Sequence, residues 1–117
     1  MCYGCSNLVS ATISNNATTL NSYIFRGCSS LINVSIPEKI TNIGTGIFYG
    51  CTSLSSIEIP NGVTSIGSSA FYRCSSLESV VIPNGVASIG DSAFSECSGL
   101  VNITLPSGLT SLGSKVF

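Results

Sequence analysis

Apolar residues recur along this chain in a fixed order, 23 residues apart. Leu8, Leu31, Leu54, Leu77 and Leu100 fill one column. Three residues on stand Ala11, Val34, Ile57, Val80 and Ile103, and two further come Ile13, Ile36, Ile59, Ile82 and Leu105. Phe25, Phe48, Phe71, Phe94 and Phe117 keep the same period. A fixed period of this size marks a solenoid, in which each repeat buries its apolar face against the next. The unit reads L-x-x-I-x-I. Its last three positions alternate with period 2, which predicts a short strand with its apolar side chains inward. Stacking the five strands gives a parallel sheet on one face, with rungs about 4.8 Å apart.

The polar punctuation fits the same unit. Pro37, Pro60, Pro83 and Pro106 follow the strand and end it, since proline has no N–H for a ladder. Asn61-Gly62, Asn84-Gly85 and Ser107-Gly108 are turn pairs. The chain then returns through Val63-x-x-Ile66, Val86-x-x-Ile89 and Leu109-x-x-Leu112. That i, i+3 spacing predicts a tight 3₁₀-like arc in preference to a second regular strand. Gly44, Gly67, Gly90 and Gly113 come next, with Asn21 in the first coil, which predicts a left-handed backbone there. Ser22, Thr45, Ser68, Asp91 and Ser114 follow, and each residue type is a good N-cap. Each coil is therefore expected to carry a short helical turn, with Phe71 and Cys74 on its inner face in the third.

With these columns in place, the repeat resembles a leucine-rich repeat, and closely the BspA-like (Treponema pallidum type) subclass, L-x-x-I-x-I-P-x-x-V-x-x-I-G-x-x-A-F-x-x-C. Leu54 through Cys74 match every defined position. The chain lacks the Asn ladder of ordinary leucine-rich repeats. Coil one departs from the subclass, with Ser14 for Pro, Asn21 for Gly, and small Ala11 and Ala17. The resemblance implies a curved, right-handed leucine-rich-repeat solenoid with a short parallel sheet on the concave face and helical or 3₁₀ turns on the convex face. It also implies use in adhesion or protein recognition, at a cell surface or after secretion, with a host or matrix protein as ligand. Residues 1–117 read as one array of five coils, 5–27, 28–50, 51–73, 74–96 and 97–117.

Composition narrows the function. Charged residues make up 8% of the chain, against about 25% in an ordinary domain, so Ser, Thr and Asn supply the polar surface. The basic residues Arg26, Lys39, Arg73 and Lys115 form no stripe, which removes the electrostatic footprint of nucleic-acid binding. No apolar run is long enough to span a membrane, and the start has no signal-peptide pattern. Coil one is expected to be the weak end, because Ala11 and Ala17 remove apolar area. Polar caps, which solenoids usually carry, are not visible at either end. Bare ends have two readings. One is a piece of a longer array. The other is head-to-tail stacking of chains into an oligomer or filament.

Candidate chemistry is sparse. Cys5, Cys28, Cys51, Cys74 and Cys97 form a column on the inner face of the turn. They are expected to be buried thiols acting as small hydrophobes. A disulfide ladder is the rival, but side chains in one column point in parallel and bridge poorly. Cys2 and Cys5 make a lone C-x-x-C, and the chain has no histidine, so neither a four-ligand zinc site nor a cofactor site is indicated. Ser/His and Cys/His dyads are likewise excluded, and the chain reads as no enzyme. Among the acids only Glu58 falls on the strand face, so no paired-carboxylate site is expected there. The others fall on turns and the convex side.

The outward strand positions are the candidate partner-binding surface: Ser10 and Thr12, Asn33 and Ser35, Ser56 and Glu58, Ser79 and Val81, Asn102 and Thr104. They vary between coils while the inward columns barely change, so packing does not dictate them. This face holds none of the Trp, Tyr or Arg residues that usually make hot spots. Tyr49 and Tyr72 form a second patch on the convex arm. Asn16, Asn33 and Asn102 stand in N-x-[ST] glycosylation sequons, two of them on the strand face.

Overall fold

Residues paired across neighbouring strands always differ by one repeat: Ser10 faces Asn33, Ser65 faces Ser88, and Ser79 faces Asn102. The computed structural model, which describes residues 4–117, is thus a parallel solenoid. Its strands are short. The strand face carries β1 (Ser10–Thr12), β2 (Asn33–Ser35), β5 (Ser79–Val81) and β7 (Asn102–Thr104). The returning arc carries β3 (Asn42–Ile43), β4 (Ser65–Ile66), β6 (Ser88–Ile89) and β8 (Ser111–Leu112). A third side, the turn arm, runs through the Phe and Cys columns.

The structure corrects the expected elements on all three sides. The returning arc is no 3₁₀ turn: β3, β4, β6 and β8 form the largest sheet, with four strands. Each is only two residues long, with Ile43, Ile66 and Ile89 turned into the core. Cross-rung bonds extend it at both ends, Thr64 N–H donating to Thr41 C=O and Gly67 N–H to Ile43 C=O. A two-residue strand is too short to show a period-2 pattern.

The turn arm contains no helix among the described residues. It is a run of β-turns in which every second N–H closes a local turn and the others reach the next coil. Thus Ala70, Tyr72 and Cys74 N–H donate to Gly67, Ser69 and Phe71 C=O, while Ser69, Phe71 and Arg73 N–H donate to Asp91, Ala93 and Ser95 C=O. A helix would spend all these donors inside one coil. Here half of them tie coils together. The expected N-caps have another use: Asp91 Oδ1 accepts the Ser114 N–H at 2.7 Å, one rung away.

The expected left-handed column is also displaced. Positive φ occurs at Tyr23, Gly46, Ser69, Ser92 and Lys115, and again at Gly4, Gly27, Gly50, Arg73 and Glu96. Gly67, Gly90 and Gly113 are needed for close approach. A Cβ on Gly90 would lie 2.5 Å from Ser68 N, and one on Gly67 would lie 2.7 Å from Thr45 N. Backbone meets backbone there, and no side chain can yield.

The strand face is interrupted. β1 pairs with β2 and β5 with β7, but the coil-three segment Ser56-Ile57-Glu58 between them is in no strand. Its L-x-x-I-x-I pattern is intact, and no residue type in it accounts for the break.

The core holds the columns. Leu31, Leu54 and Leu77 are fully buried, and the Phe rings stack with centroids 5.7, 5.3, 5.0 and 6.1 Å apart from Phe25 to Phe117. Each buried ring contributes about 1.5–3 kcal/mol through apolar area alone. Coil one packs more loosely, with Leu8, Ala11, Ile13, Ala17 and Leu20 only half-buried. It also contributes no strand to the four-stranded sheet.

The cysteine column has a polar function in this core. The described cysteines are thiols. The Sγ–H groups of Cys51, Cys74 and Cys97 donate to the carbonyls of Phe25, Phe48 and Phe71, each at 3.1 Å. Those carbonyls also accept the N–H of Cys28, Cys51 and Cys74, each three residues further along the chain. The thiol therefore gives a second donor to a buried carbonyl, which an aliphatic side chain could not do. Cys2 lies outside the described residues.

Close approach and thiol burial each lead to a measurable outcome. Gly90→Ala should lower stability by about 1–3 kcal/mol, as overpacking does, read as a reduced urea midpoint. Gly85→Ala, whose Cβ would meet only ordinary contacts at 3.5 Å, should change it by less than about 0.5 kcal/mol. The second outcome concerns pH. Burial pushes the Cys51 thiol up to about 12 and the Cys97 thiol up to about 11, from 9.0, and burial raises Cys74 well above that value. The unfolded thiols ionise first, so the folded state binds more protons above pH 9.0. The thiols' contribution is complete below that pH and is lost as pH rises toward the folded values. Stability should fall by up to about 1.4 kcal/mol per pH unit for each thiol, and Cys74→Ser should flatten the slope.

Candidate functional site

The strand face owes its polar character to the period-2 alternation. Ile36, Ile59, Val80 and Ile82 turn inward and are buried, which leaves the intervening positions outward. Ser10, Thr12, Asn33, Ser35, Ser56, Glu58, Ser79, Val81, Asn102 and Thr104 are all exposed. Val81 is 66% exposed, the one large apolar side chain among them. The structure does not spread them over a single flat sheet. It gathers eight of the ten, all but Asn102 and Thr104, around the interruption at coil three.

Two clefts flank Glu58. One, of about 460 Å³, lies over coils one to three and is lined by Thr12, Asn33, Ser35, Glu38, Glu58 and Asn61, among others. The second, of about 330 Å³, lies over coils three and four, lined by Ser56, Glu58, Asn61, Ser79, Val81 and Pro83. Glu58, Ile59 and Asn61 belong to both. Asn102 and Thr104 lie on β7 and line neither.

This placement corrects one expectation. Glu38, read from sequence as a turn residue away from the face, lines the same cleft as Glu58. The signal lay in its slot. Glu38 directly follows Pro37, as Asn61 follows Pro60, and that column leaves the strand end still facing the cleft. Two carboxylates therefore meet one cleft. They have no histidine to work with anywhere in the chain. Among the described residues no three of His, Cys, Asp and Glu gather closely enough to hold a metal ion.

The second sequence-derived patch is a ridge on the turn arm. Tyr49 and Tyr72 rings lie 4.8 Å apart. The Arg26 guanidinium sits over the rings of Tyr23 and Tyr49, at 5.6 and 4.8 Å, and that of Arg73 over Tyr72 at 5.4 Å. Tyr72 donates its hydroxyl to Glu96 Oε2 at 2.6 Å, and Arg73 Nε lies 3.4 Å from Glu96 Oε1. The hydroxyl and the guanidinium hold the Glu96 carboxyl below its ordinary value, and the same hydrogen bond raises Tyr72. These groups are exposed, so the ion pair orders the ridge more than it stabilises the fold. The tyrosine faces are covered by each other and by arginine, leaving their edges to solvent.

The sequon asparagines Asn16, Asn33 and Asn102 are all exposed. Asn33 lines the larger cleft, where a glycan would fill it. No helix among the described residues is long and apolar enough to cross a membrane.

Comparison with known proteins agrees with this architecture. The model of the BspA-type leucine-rich-repeat region matches residues 1–117, in six copies. No curated protein matches. A leucine-rich repeat protein from Bacteroides ovatus superposes with a TM-score of 0.94 at 34% identity, over 98% of this chain and 30% of its own. The Treponema pallidum leucine-rich repeat protein gives 0.78 at 29% identity, over 95% of this chain and 63% of its own. A leucine-rich cell surface protein from Faecalibacterium prausnitzii gives 0.71 at 30% identity, over 81% and 31%. The chain thus spans less than two thirds of each of these structures. The Phe and Cys columns follow one 23-residue repeat from the first coil to the last, and the chain belongs to the BspA-type leucine-rich-repeat family.

Proposed function

We propose that this chain is a non-enzymatic protein-recognition and adhesion module of a larger microbial surface protein, and that the strand face around Glu58 contacts the ligand. The observation that carries the reading is the pair of clefts on that face, sharing Glu58 and Asn61. The similarity to a cell surface protein of Faecalibacterium prausnitzii supports the localisation. Hydroxyls and amides line the clefts, and such groups exchange water for a ligand's polar groups at little cost.

A second reading has its own observation. On the turn arm the cross-rung bonds run one way. Tyr23 N–H donates to Thr45 C=O, Gly46 to Ser68, Ser69 to Asp91 and Ser92 to Ser114. A second copy stacked head-to-tail would continue this sense without reversal, which favours an open filament over a face-to-face dimer.

Both readings have direct tests. Passed over adsorbed extracellular-matrix proteins, the Glu58→Ala, Val81→Ser double variant should be retained about tenfold less than wild type, a change of about 1.4 kcal/mol. Retention that survives this pair and is abolished by Tyr49→Ala with Tyr72→Ala would place recognition on the ridge. For stacking, light scattering should find species heavier than 12.0 kDa and negative-stain images should show fibres one coil wide. A monodisperse 12.0 kDa species at all concentrations removes that reading.

A further inference from the structure

The four turns that follow the prolines close in the same way. Ile40, Val63, Val86 and Leu109 N–H donate back to Pro37, Pro60, Pro83 and Pro106 C=O, at 3.1–3.4 Å. Each proline is buried, and the two residues between the ends of the turn are exposed. This closure leaves the inner nitrogen unengaged: Lys39, Gly62, Gly85 and Gly108 N–H donate to no backbone carbonyl. The four turns differ in what stands beside that nitrogen. Coils two and five carry Glu38-Lys39 and Ser107-Gly108, whereas coils three and four carry Asn61-Gly62 and Asn84-Gly85.

We propose that Asn61 and Asn84 are sites of spontaneous covalent modification, each side-chain amide being lost as ammonia and replaced by a carboxylate, and that this conversion at Asn61 weakens ligand binding by the strand face. The chemical step stands on the turns alone. Its effect on binding rests on the strand-face reading above.

The chain supplies every reactant except water. The Gly62 peptide nitrogen attacks Cγ of Asn61 and gives its proton to water or hydroxide. The N–Cγ bond forms, the Cγ–Nδ2 bond breaks, and the amide takes up a proton and leaves as ammonia. Water then opens the resulting five-membered succinimide. Cleavage at Cγ gives aspartate. Cleavage at the main-chain carbonyl gives isoaspartate, with one more atom in the backbone. That atom falls in an exposed pair between buried Pro60 and Val63, so the columns on either side keep their register.

The structure separates these two asparagines from the rest. Neither side-chain amide is held by a hydrogen bond to a described residue. Gly62 and Gly85 have no Cβ to obstruct the peptide plane as it swings toward Cγ. Every other asparagine precedes a residue with a Cβ. Asn33, Asn42 and Asn102 are also fixed in strands, ahead of the β-branched Val34, Ile43 and Ile103. The two sites differ in consequence. Asn61 lines both clefts beside Glu58, so its conversion exchanges an amide donor for a carboxylate that only accepts. Asn84 lines neither cleft.

The test ages the whole folded chain in ¹⁸O-water at neutral and mildly alkaline pH, followed by tryptic mapping with fragmentation that tells aspartate from isoaspartate. Cleavage after Lys39, Arg73 and Lys115 puts Asn61 with Asn42 in one peptide and Asn84 with Asn102 in another, so each site has an internal standard. Label should enter at Asn61 and Asn84, faster at the higher pH, and not at Asn42 or Asn102. Gly85→Ala, whose Cβ meets only ordinary contacts, should remove most conversion at Asn84 and leave Asn61 unchanged. On adsorbed matrix proteins Asn61→Asp should be retained about fivefold less than wild type, the weight of one lost donor, and Asn84→Asp should match wild type.

Equal label at Asn42 and Asn102, or label that enters only in urea, would overturn the chemical step. Label at Asn61 with undiminished retention of Asn61→Asp would overturn its effect on binding, provided Glu58→Ala with Val81→Ser still lowers retention. If that double variant is also retained like wild type, the strand-face reading fails, and the effect on binding falls with it.

Discussion

One contact sets the geometry of this protein, the approach of each coil's backbone to the next at the glycine column. At Gly67 and Gly90 a single added carbon would sit 2.5–2.7 Å from a main-chain nitrogen of the neighbouring coil. That spacing brings the four arc strands into register and the phenylalanine rings to 5.0–5.7 Å through the middle of the stack. It also places each thiol of Cys51, Cys74 and Cys97 against the carbonyl of a phenylalanine 26 residues earlier. Between coils one and two the approach is looser. A Cβ on Gly44 would meet Leu20 O at 3.2 Å and no nearer backbone atom, and the arc strand of coil one does not form. Leu20 is correspondingly only half-buried.

The repeat and its inward columns were legible in the residues because burial demands the same side-chain types at every rung. Leu54, Ile57 and Phe71 could be placed from residue type and spacing alone. What the sequence hides is how the backbone uses its own hydrogen bonds. Ser65-Ile66 is too short to declare itself a strand, and it becomes one because Thr41 and Ile43 supply carbonyls one coil away. Ser68 to Cys74 has the composition of a capped helical turn. It remains a ribbon of β-turns because the next coil offers carbonyls to its alternate N–H groups. The left-handed positions are equally concealed: Ser69 and Arg73 hold φ of 55° and 60°, which their residue types do not announce. Cross-rung bonds at both positions hold that conformation against its intrinsic cost.

The candidate site divides the same way. That the outward strand residues form a polar surface followed from alternation. That the surface opens around Glu58 did not, since Ser56-Ile57-Glu58 differs from its neighbours in no way that alternation can register. Glu38 was hidden for a related reason, as a residue after proline reads as leaving the sheet when it still borders it. Polar identity at the outward positions is free of packing demands. The same scaffold can therefore change what it recognises without touching a column.

The strict register has a consequence for how such a chain can vary in length. Every column joins residues one repeat apart, so removing a whole unit of 23 residues leaves all columns aligned. Losing a single residue from a coil would throw its ring, thiol, glycine and both strand segments out of line at once. Length in this architecture is quantised. Genetic exchange between repeats, which trades whole units, can lengthen or shorten the array, whereas small insertions and deletions have a place only in the exposed turn pairs after each proline.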